Sequence, residues 1–167
     1  MTILGIDPGT HRVGYGVIKT GRPRPILIAA DLLPIVRTAQ WGFLKEVKGR
    51  MAELLKRYQP DIVAVEELFF VKNLKTGLPV AHARGVILLS VLEAGARLVE
   101  LSPNEIKSGL TGNGHADKRA VAKMVRLILK EPTLRVLDDV SDALAVALVA
   151  EQRLGERVKN RLTTDFG

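Results

Sequence analysis

Acidic residues stand at the ends of several predicted elements of this chain, where their carboxylates could meet. Asp7 ends the apolar run TILGID and Glu66 lies at the end of DIVAVEE, and both runs have the composition of buried strands. Asp139 and Asp142 stand three residues apart in an alanine-rich segment, so both lie on one face of the predicted helix. A helix packed across the strand ends would bring three or four of these carboxylates together.

Such a cluster predicts a metal site, because like charges packed together repel one another unless cations neutralise them. Oxygen ligands without Cys or His favour Mg²⁺ or Mn²⁺ over zinc, and the chain has no cysteine. Two such ions ~4 Å apart would clamp the attacking and leaving oxygens of a phosphodiester. A single acid at an element end is most often a helix cap or a surface residue. Four acids in these places, followed by the small residues ALAVA that permit close helix packing, favour the site.

Two of these positions carry adjacent acids, and spacing does not choose between them. Neighbouring residues on a strand point to opposite faces, so only one of Glu66 and Glu67 can be a ligand. Asp138 and Asp139 pose the same question at the start of the last helix. The residue pattern leaves both alternatives open.

The elements that would position these acids change from strand patterns to helix patterns along the chain. Three apolar runs separated by glycine and proline predict an antiparallel meander, and the strand after the first helix predicts a parallel neighbour. The helix at 77–96 is apolar around much of its circumference, which predicts burial on two sides, inside the domain or at a subunit interface. Strands are predicted at 2–7, 13–19, 25–34, 61–67 and 97–101. Helices are predicted at 43–58, 77–96 and 138–154, with two more starting at Ser102 and after the glycine loop 111–118.

Length and composition indicate one domain, and the net charge leaves open whether it has a polyanionic partner. The 167 residues show no repeat or linker, which predicts an α/β domain over residues 1–155 and a polar, flexible tail at 156–167. Lys and Arg outnumber Asp and Glu by 25 to 18, and the net charge of +7 either attracts nucleic acid or only aids solubility. We expect neither a signal peptide nor a membrane span, and the lack of cysteine fits a cytoplasmic location.

Five segments together resemble the RuvC family of crossover junction endonucleases, which resolve Holliday junctions in bacteria. One segment alone would be weak evidence, because GIDPGT also resembles the phosphate loops of actin-like ATPases. All five occur in family order over nearly the whole chain up to about residue 150. They are GIDPGTHRVGYGV (5–17), PDIVAVEELFFVKN (60–73), ARGV (83–86), IKSGLTGNGHADKRAVAKMV (106–125) and DDVSDALAVA (138–147).

The resemblance implies an RNase H-like α/β fold, with a mixed five-stranded sheet of three antiparallel strands followed by parallel strands, and helices on both faces. It also selects among the adjacent acids, leaving Glu67 and Asp138 outside the metal site. The implied catalytic residues and metal ligands are Asp7, Glu66, Asp139 and Asp142, with Lys118 as a further catalytic residue.

The resemblance further implies a DNA-binding surface around this site. The aromatic residue that contacts the junction falls on Phe69, with Phe70 beside it as a second ring or a core residue. Gly112 and Gly114 would let the backbone close on DNA. Phosphate contacts are predicted for Lys72, Lys75, Arg84, Lys107, Lys118 and Arg119. Arg84 stands inside an apolar helix and equally fits a buried structural ion pair.

The implied activity is resolution of four-way junctions by paired symmetrical nicks. Two Mg²⁺ or Mn²⁺ ions per site would support hydrolysis that leaves 5′-phosphate and 3′-hydroxyl ends. The implied partners are junction DNA, a second copy of the chain through the helix at 77–96, and the RuvAB branch-migration complex.

Three other function classes are weaker. FFVKN and the glycine loop before Lys118 argue against a YqgF-type or RNA/DNA-hybrid nuclease. An actin-like nucleotide-binding protein needs two lobes and a second phosphate loop, and a non-catalytic DNA-binding module would have lost a carboxylate.

Overall fold

The computed structural model describes residues 1–9, 12–35, 41–68, 74–134 and 137–164, with the backbone alone at 74–76 and 156–164. Strands and helices follow one another in the order that the residue patterns predict. The strands are β1 (Thr2–Asp7), β2 (Arg12–Lys19), β3 (Ile26–Pro34), β4 (Ile62–Glu66) and β5 (Arg97–Leu101). The helices are α1 (Gly42–Tyr58), α2 (Leu74–Glu93), α3 (Pro103–Thr111), α4 (Lys118–Leu129) and α5 (Asp138–Thr164).

The five strands form one mixed sheet in the order β3-β2-β1-β4-β5. β2 pairs antiparallel with both β1 and β3, whereas β4 pairs parallel with both β1 and β5. The predicted mixed sheet is therefore confirmed. Because β1 and β4 are parallel neighbours, Asp7 and Glu66 lie side by side where the C-terminal ends of these two strands meet.

Helices cover both faces of this sheet, as predicted. Successive strand residues point to opposite faces, so Leu4 and Ile6 pack beneath α1 and α2, and Ile3 packs beneath α3, α4 and α5. All three side chains are fully buried. The central strand β1 thus has a hydrophobic core on each side, and the position of its end is fixed from both.

Helix α5 lies unusually close to the sheet because small residues face one another across the contact. A β-carbon on Gly5 would lie 2.1 Å from the Ala143 carbonyl oxygen and 2.9 Å from the Ala147 side chain. A β-carbon on Gly14 would lie 2.0 Å from the carbonyl oxygen of Asp139. The close helix packing predicted from ALAVA is confirmed, and it brings the first turns of α5 over the end of β1.

Two helices differ from their predicted extents. Helix α2 begins at Leu74 and ends at Glu93, and its outer face leaves Leu78, Leu89 and Leu92 more than half exposed. Burial of that face inside the domain is therefore wrong, and the subunit interface is the alternative that remains. Helix α5 continues ten residues past its predicted end, to Thr164. The flexible tail at 156–167 stays a prediction.

Within the described ranges, none of the helices is long and apolar enough to cross a membrane.

Candidate active site

A pocket of about 310 Å³ opens at the sheet edge where β1 and β4 end. Asp7 and Glu66 line it from the strands, and Asp142 lines it from α5. Two cations, Lys107 and Lys118, complete its polar lining. The structure therefore brings together three of the four predicted carboxylates and both predicted lysines.

The end of β4 separates the two adjacent glutamates. The side chain of Glu66 lines the pocket. Glu67 extends the pairing of β4 with β5 by one hydrogen bond, since its backbone N–H donates to the carbonyl of Leu101 at 2.9 Å. The guanidinium of Arg84 holds this end from α2. Its Nε donates to the carbonyl of Glu66 at 3.1 Å, and it also pairs with Glu100. Arg84 thus has the internal ion pair that was weighed against its predicted phosphate contact.

The first turns of α5 place the aspartates differently. Asp142 reaches the pocket, and Asp139 beside it pairs with the Arg12 guanidinium, 2.5 Å from Oδ2 to Nε. Asp138 is exposed. Acidic side chains in a first helical turn are favoured by the helix dipole.

Burial and crowding shift the carboxyl groups of the strands. Burial, and then the charges of Glu66, Asp142 and Asp139, raise the pKa of Asp7 to about 8, against an opposing effect of Lys118. Burial and the charge of Asp142 likewise raise the pKa of Glu66. At neutral pH, Asp7 therefore holds a proton unless more positive charge enters the site.

Two cations of the protein already contact the carboxylates, since Lys118 pairs with Asp142 and Arg12 pairs with Asp139. Lys118 opens α4, and its Nζ donates to Asp142 Oδ2 at 3.0 Å. That hydrogen bond raises the pKa of Lys118 and keeps it charged. Asp117 caps the same helix by accepting from the backbone N–H of Ala120 at 2.8 Å. The cap fixes the direction from which Lys118 enters the site.

Helix α3 positions Lys107 through both of its ends. At the start, the predicted capping box is confirmed, with the Ser102 N–H donating to Glu105 Oε2 at 2.8 Å and the Glu105 N–H donating to Ser102 Oγ at 3.3 Å. Arg153 of α5 pairs with the same glutamate. At the other end, Gly112 caps the helix with φ +73°. The left-handed conformation of Gly112 is therefore explained by helix termination and does not depend on contact with DNA.

The remaining predicted DNA-binding residues have varied positions. Arg119 is exposed on α4. A β-carbon on Gly114 would lie 2.0 Å from the side chain of Asn104, so this glycine lets the loop pack on α3. Phe69, Phe70 and Lys72 lie outside the described residues, and Lys75 is described by its backbone in α2 only.

The donor set of the site fits a hard divalent cation. Its ligands would be carboxylate oxygens, and the pKa of Asp7 is raised by burial first and then by neighbouring negative charge, which such a cation would offset. Among the described residues, however, no three Asp, Glu, His or Cys side chains already stand in a metal-binding arrangement. Asp142 and Asp139 pair instead with Lys118 and Arg12.

Sequence reasoning missed Arg12 and Gly14. Both belong to a glycine-rich turn and strand, and Asp139, which each of them contacts, comes more than 120 residues later in the sequence. The one available signal was the antiparallel meander, which places the start of β2 beside the end of β1, where Gly14 pairs with Asp7.

Comparisons with known proteins agree on one family. The family model described as crossover junction endodeoxyribonuclease RuvC matches residues 3–150. A protein of that name from Desulforamulus reducens is 42% identical over 169 residues, covering 95% of this chain and all of the relative. The solved structure of Thermus thermophilus RuvC has a TM-score of 0.81 at 34% identity, covering 93% of this chain and 97% of that one. T. thermophilus RuvC in complex with a Holliday junction substrate has a TM-score of 0.82 at 30% identity, with the same coverage.

Proposed function

Because the chain belongs to the RuvC family of crossover junction endodeoxyribonucleases, we propose that it resolves four-way DNA junctions by nicking two strands symmetrically. Family membership makes it a nuclease that hydrolyses DNA. The observation that carries the proposal is the convergence of Asp7, Glu66 and Asp142 on one pocket with Lys107 and Lys118. Carboxylates for cations and lysines for phosphate are the groups that phosphodiester hydrolysis needs.

The proposed cofactor is a pair of Mg²⁺ or Mn²⁺ ions held by Asp7, Glu66, Asp139 and Asp142. When bound, such a pair activates water and stabilises the leaving oxygen of a phosphodiester. The reaction adds water across the bond between phosphorus and the 3′-oxygen. Hydroxide goes to phosphorus and a proton goes to the 3′-oxygen, so the ends are a 5′-phosphate and a 3′-hydroxyl.

The side chains of the pocket would orient the substrate. Lys118 lies at the N-terminal end of α4, where the helix dipole also favours an anion. Once Asp142 turns away, the ammonium of Lys118 is free to contact the phosphate that is cut. Lys107 approaches the same pocket from α3 and would hold that phosphate from the other side.

Recognition of the crossover is assigned to the segment that follows Glu66. Phe69 comes three residues later in the sequence, and in the proposal its ring stacks on a base at the crossover. Stacking of a base on an aromatic ring contributes ~1–3 kcal/mol in single-strand binding proteins. Phe70 backs this ring in the proposal, and Lys72 and Lys75 contact phosphates.

A homodimer completes the activity, because two symmetrical nicks need two active sites. The candidate interface is the outer face of α2. Leu78, Leu89 and Leu92 recur there at spacings that keep them on one side of the helix, and each is more than half exposed. Trp41 packs its ring edge-on against His82 on the same side, at 5.3 Å between ring centroids. Its exposed indole would widen the apolar surface.

The family resemblance extends the proposal to the RuvAB branch-migration complex as a partner and to the cytoplasm as the location. The decisive experiment for the activity compares a four-way junction, a linear duplex and an RNA/DNA hybrid, each with Mn²⁺ or with EDTA. Paired nicks in the junction alone, dependent on metal, support the proposal. Preferential cutting of the hybrid would instead indicate a ribonuclease.

A further inference from the structure

A row of four cations follows the outer face of α4. Arg119, Lys123 and Arg126 recur at spacings of four and three residues, so they lie on one side of the helix, and Lys130 follows as its C-cap with φ +54°. The opposite side is buried in the core through Val121, Val125 and Leu129. The row therefore points to solvent.

Among the described residues, no acid forms an ion pair with this row, although Asp117 and Glu131 flank it in the sequence. Helix α4 contains no Asp or Glu, and no ion pair in the described part of the chain involves any of the four cations. Helix α1 differs, because its Arg50 lies between Glu46 and Glu53, at 3.7 and 3.6 Å. Like charges at these spacings destabilise a helix. The helix dipole favours Arg126 in the last turn but disfavours Arg119 in the first. The unpaired cations in the first half of α4 therefore oppose helix stability, which favours a role in binding an anion.

The row starts at the candidate active site and leads away from it. Arg119 directly follows Lys118, which donates to Asp142 in the pocket. From Arg119 to Lys130 the helix rises ~16 Å, at about 1.5 Å per residue. Duplex DNA rises about 3.4 Å per base pair, so the row matches roughly five base pairs. Three of its cations also line a groove of about 460 Å³ with Leu127 and Pro132.

We propose that this row binds the phosphate backbone of one duplex arm of the junction, a role that rests on the proposed function. A duplex arm leaving the cut site would run along α4, and its regularly spaced phosphates would form ion pairs with these cations. DNA is favoured over an acidic protein partner because the row is continuous with the lysine assigned to the cut phosphate. The surface formed by α4 and its cap also presents four cations and only one exposed large apolar side chain, Leu127, so charge dominates it.

The test compares two triple variants with matched loss of charge. The first replaces Lys123, Arg126 and Lys130 with Ala, which keeps good helix formers at the two positions inside α4, while circular dichroism checks that the change at the cap residue Lys130 leaves the protein folded. The control replaces Lys19, Arg24 and Lys56 with Ala. These residues lie at the other end of the sheet, where Lys19 pairs with Thr2 at the start of β1. Each triple removes three positive charges from a net charge of +7.

Junction binding is measured in EDTA by fluorescence anisotropy over a range of salt concentrations. The α4 variant should lose about tenfold in affinity, and its salt slope should become shallower by roughly 0.9 for each lost phosphate contact. The control should match the wild type. An α4 variant with the slope and affinity of the control overturns the proposal, and the row would then serve another anion, such as an acidic protein.

A second measurement locates the contact on the DNA. Neutral methylphosphonate linkages placed in one arm, within about five base pairs of the cut, should weaken the wild type but not the α4 variant. Equal weakening of both proteins would overturn the proposal. If the wild type neither prefers nor cuts the junction, the proposed function itself fails, and this outcome is read from the wild type alone.

Discussion

Gly14 lies so close to Asp139 that a β-carbon on the glycine would be 2.0 Å from the aspartate carbonyl oxygen. The same glycine pairs with Asp7 across the ladder between β1 and β2. One residue without a side chain therefore sets the distance between the aspartate of the central strand and the aspartates of α5. The candidate site depends on this contact as much as on the acids themselves.

Replacing Gly14 with Ala should lift α5 from the sheet and separate the carboxylates. We expect the cleavage rate to fall at least about 100-fold, because ~1 Å of misplacement has such an effect, and stability to fall by ~1–3 kcal/mol from overpacking. The control is Gly49→Ala on α1, where a β-carbon meets nothing within 4 Å. It should leave cleavage unchanged. A Gly14→Ala protein that cuts within tenfold of the wild type would contradict this role.

Asp7 makes the folded protein sensitive to pH. Its pKa rises from 3.8 to about 8 on folding, so the folded state binds a proton that the unfolded state releases above about pH 4. Stability should therefore fall as pH rises from about 4 to about 8. Asp7→Asn removes this effect. In EDTA at pH 8 its melting temperature should exceed that of the wild type by at least ~2 °C.

Adding Mn²⁺ should reverse that order by raising the melting temperature of the wild type more than that of Asp7→Asn. Asp138→Asn, which removes a neighbouring exposed carboxylate, is the control and should respond to Mn²⁺ like the wild type. If the melting temperatures of the wild type and Asp7→Asn change equally from pH 4 to pH 8 in EDTA, folding does not raise the pKa of Asp7, and the prediction is wrong.

Arg12 should compete with metal for Asp139, because its guanidinium is 2.5 Å from the carboxylate oxygen. We expect Arg12→Gln to bind Mn²⁺ up to about fivefold more tightly by calorimetry, since a partly exposed ion pair contributes ~0.2–1 kcal/mol. Arg24→Gln, in the connection between β2 and β3, controls for the loss of one charge. Weaker Mn²⁺ binding by Arg12→Gln would mean that the arginine supports the ligand instead of competing for it.

The exposed face of α2 should be necessary for dimer formation. Leu89→Glu places a charge at the middle of this face and should give a monomer in sedimentation at micromolar concentration. Leu127→Glu changes a similarly exposed leucine on α4 and should leave the dimer intact. A wild-type protein that sediments as a monomer, or a Leu89→Glu protein that remains a dimer, would rule out this interface.

The sequence predicts the sheet well because each strand has a distinct local pattern. The runs that end at Asp7 and Glu66 are both apolar, and a helix pattern between them predicts that they pair as parallel strands. The structure confirms this pairing, and both acids line one pocket. The start of α3 was equally clear, because Ser102 and Glu105 form a motif within four residues.

Other features depend on contacts between distant parts of the chain. Gly14 and Asp139 are 125 residues apart, so no local pattern reveals that one must be small to admit the other. Arg12 is a single cation in a turn, and its partner is known only once α5 is placed. The apolar residues of α2 predict burial, but their period does not say which of them a second subunit would cover.

The central claim is tested most directly by cleavage of a four-way junction by Glu66→Gln and Glu67→Gln proteins. These variants remove one charge each from neighbouring residues, of which only Glu66 faces the pocket. With Mn²⁺, the wild type and Glu67→Gln should nick two strands symmetrically and leave ends that a ligase rejoins, whereas Glu66→Gln should bind the junction without cutting it. Cleavage by Glu66→Gln within tenfold of the wild-type rate would contradict the assignment of this carboxylate cluster as the active site.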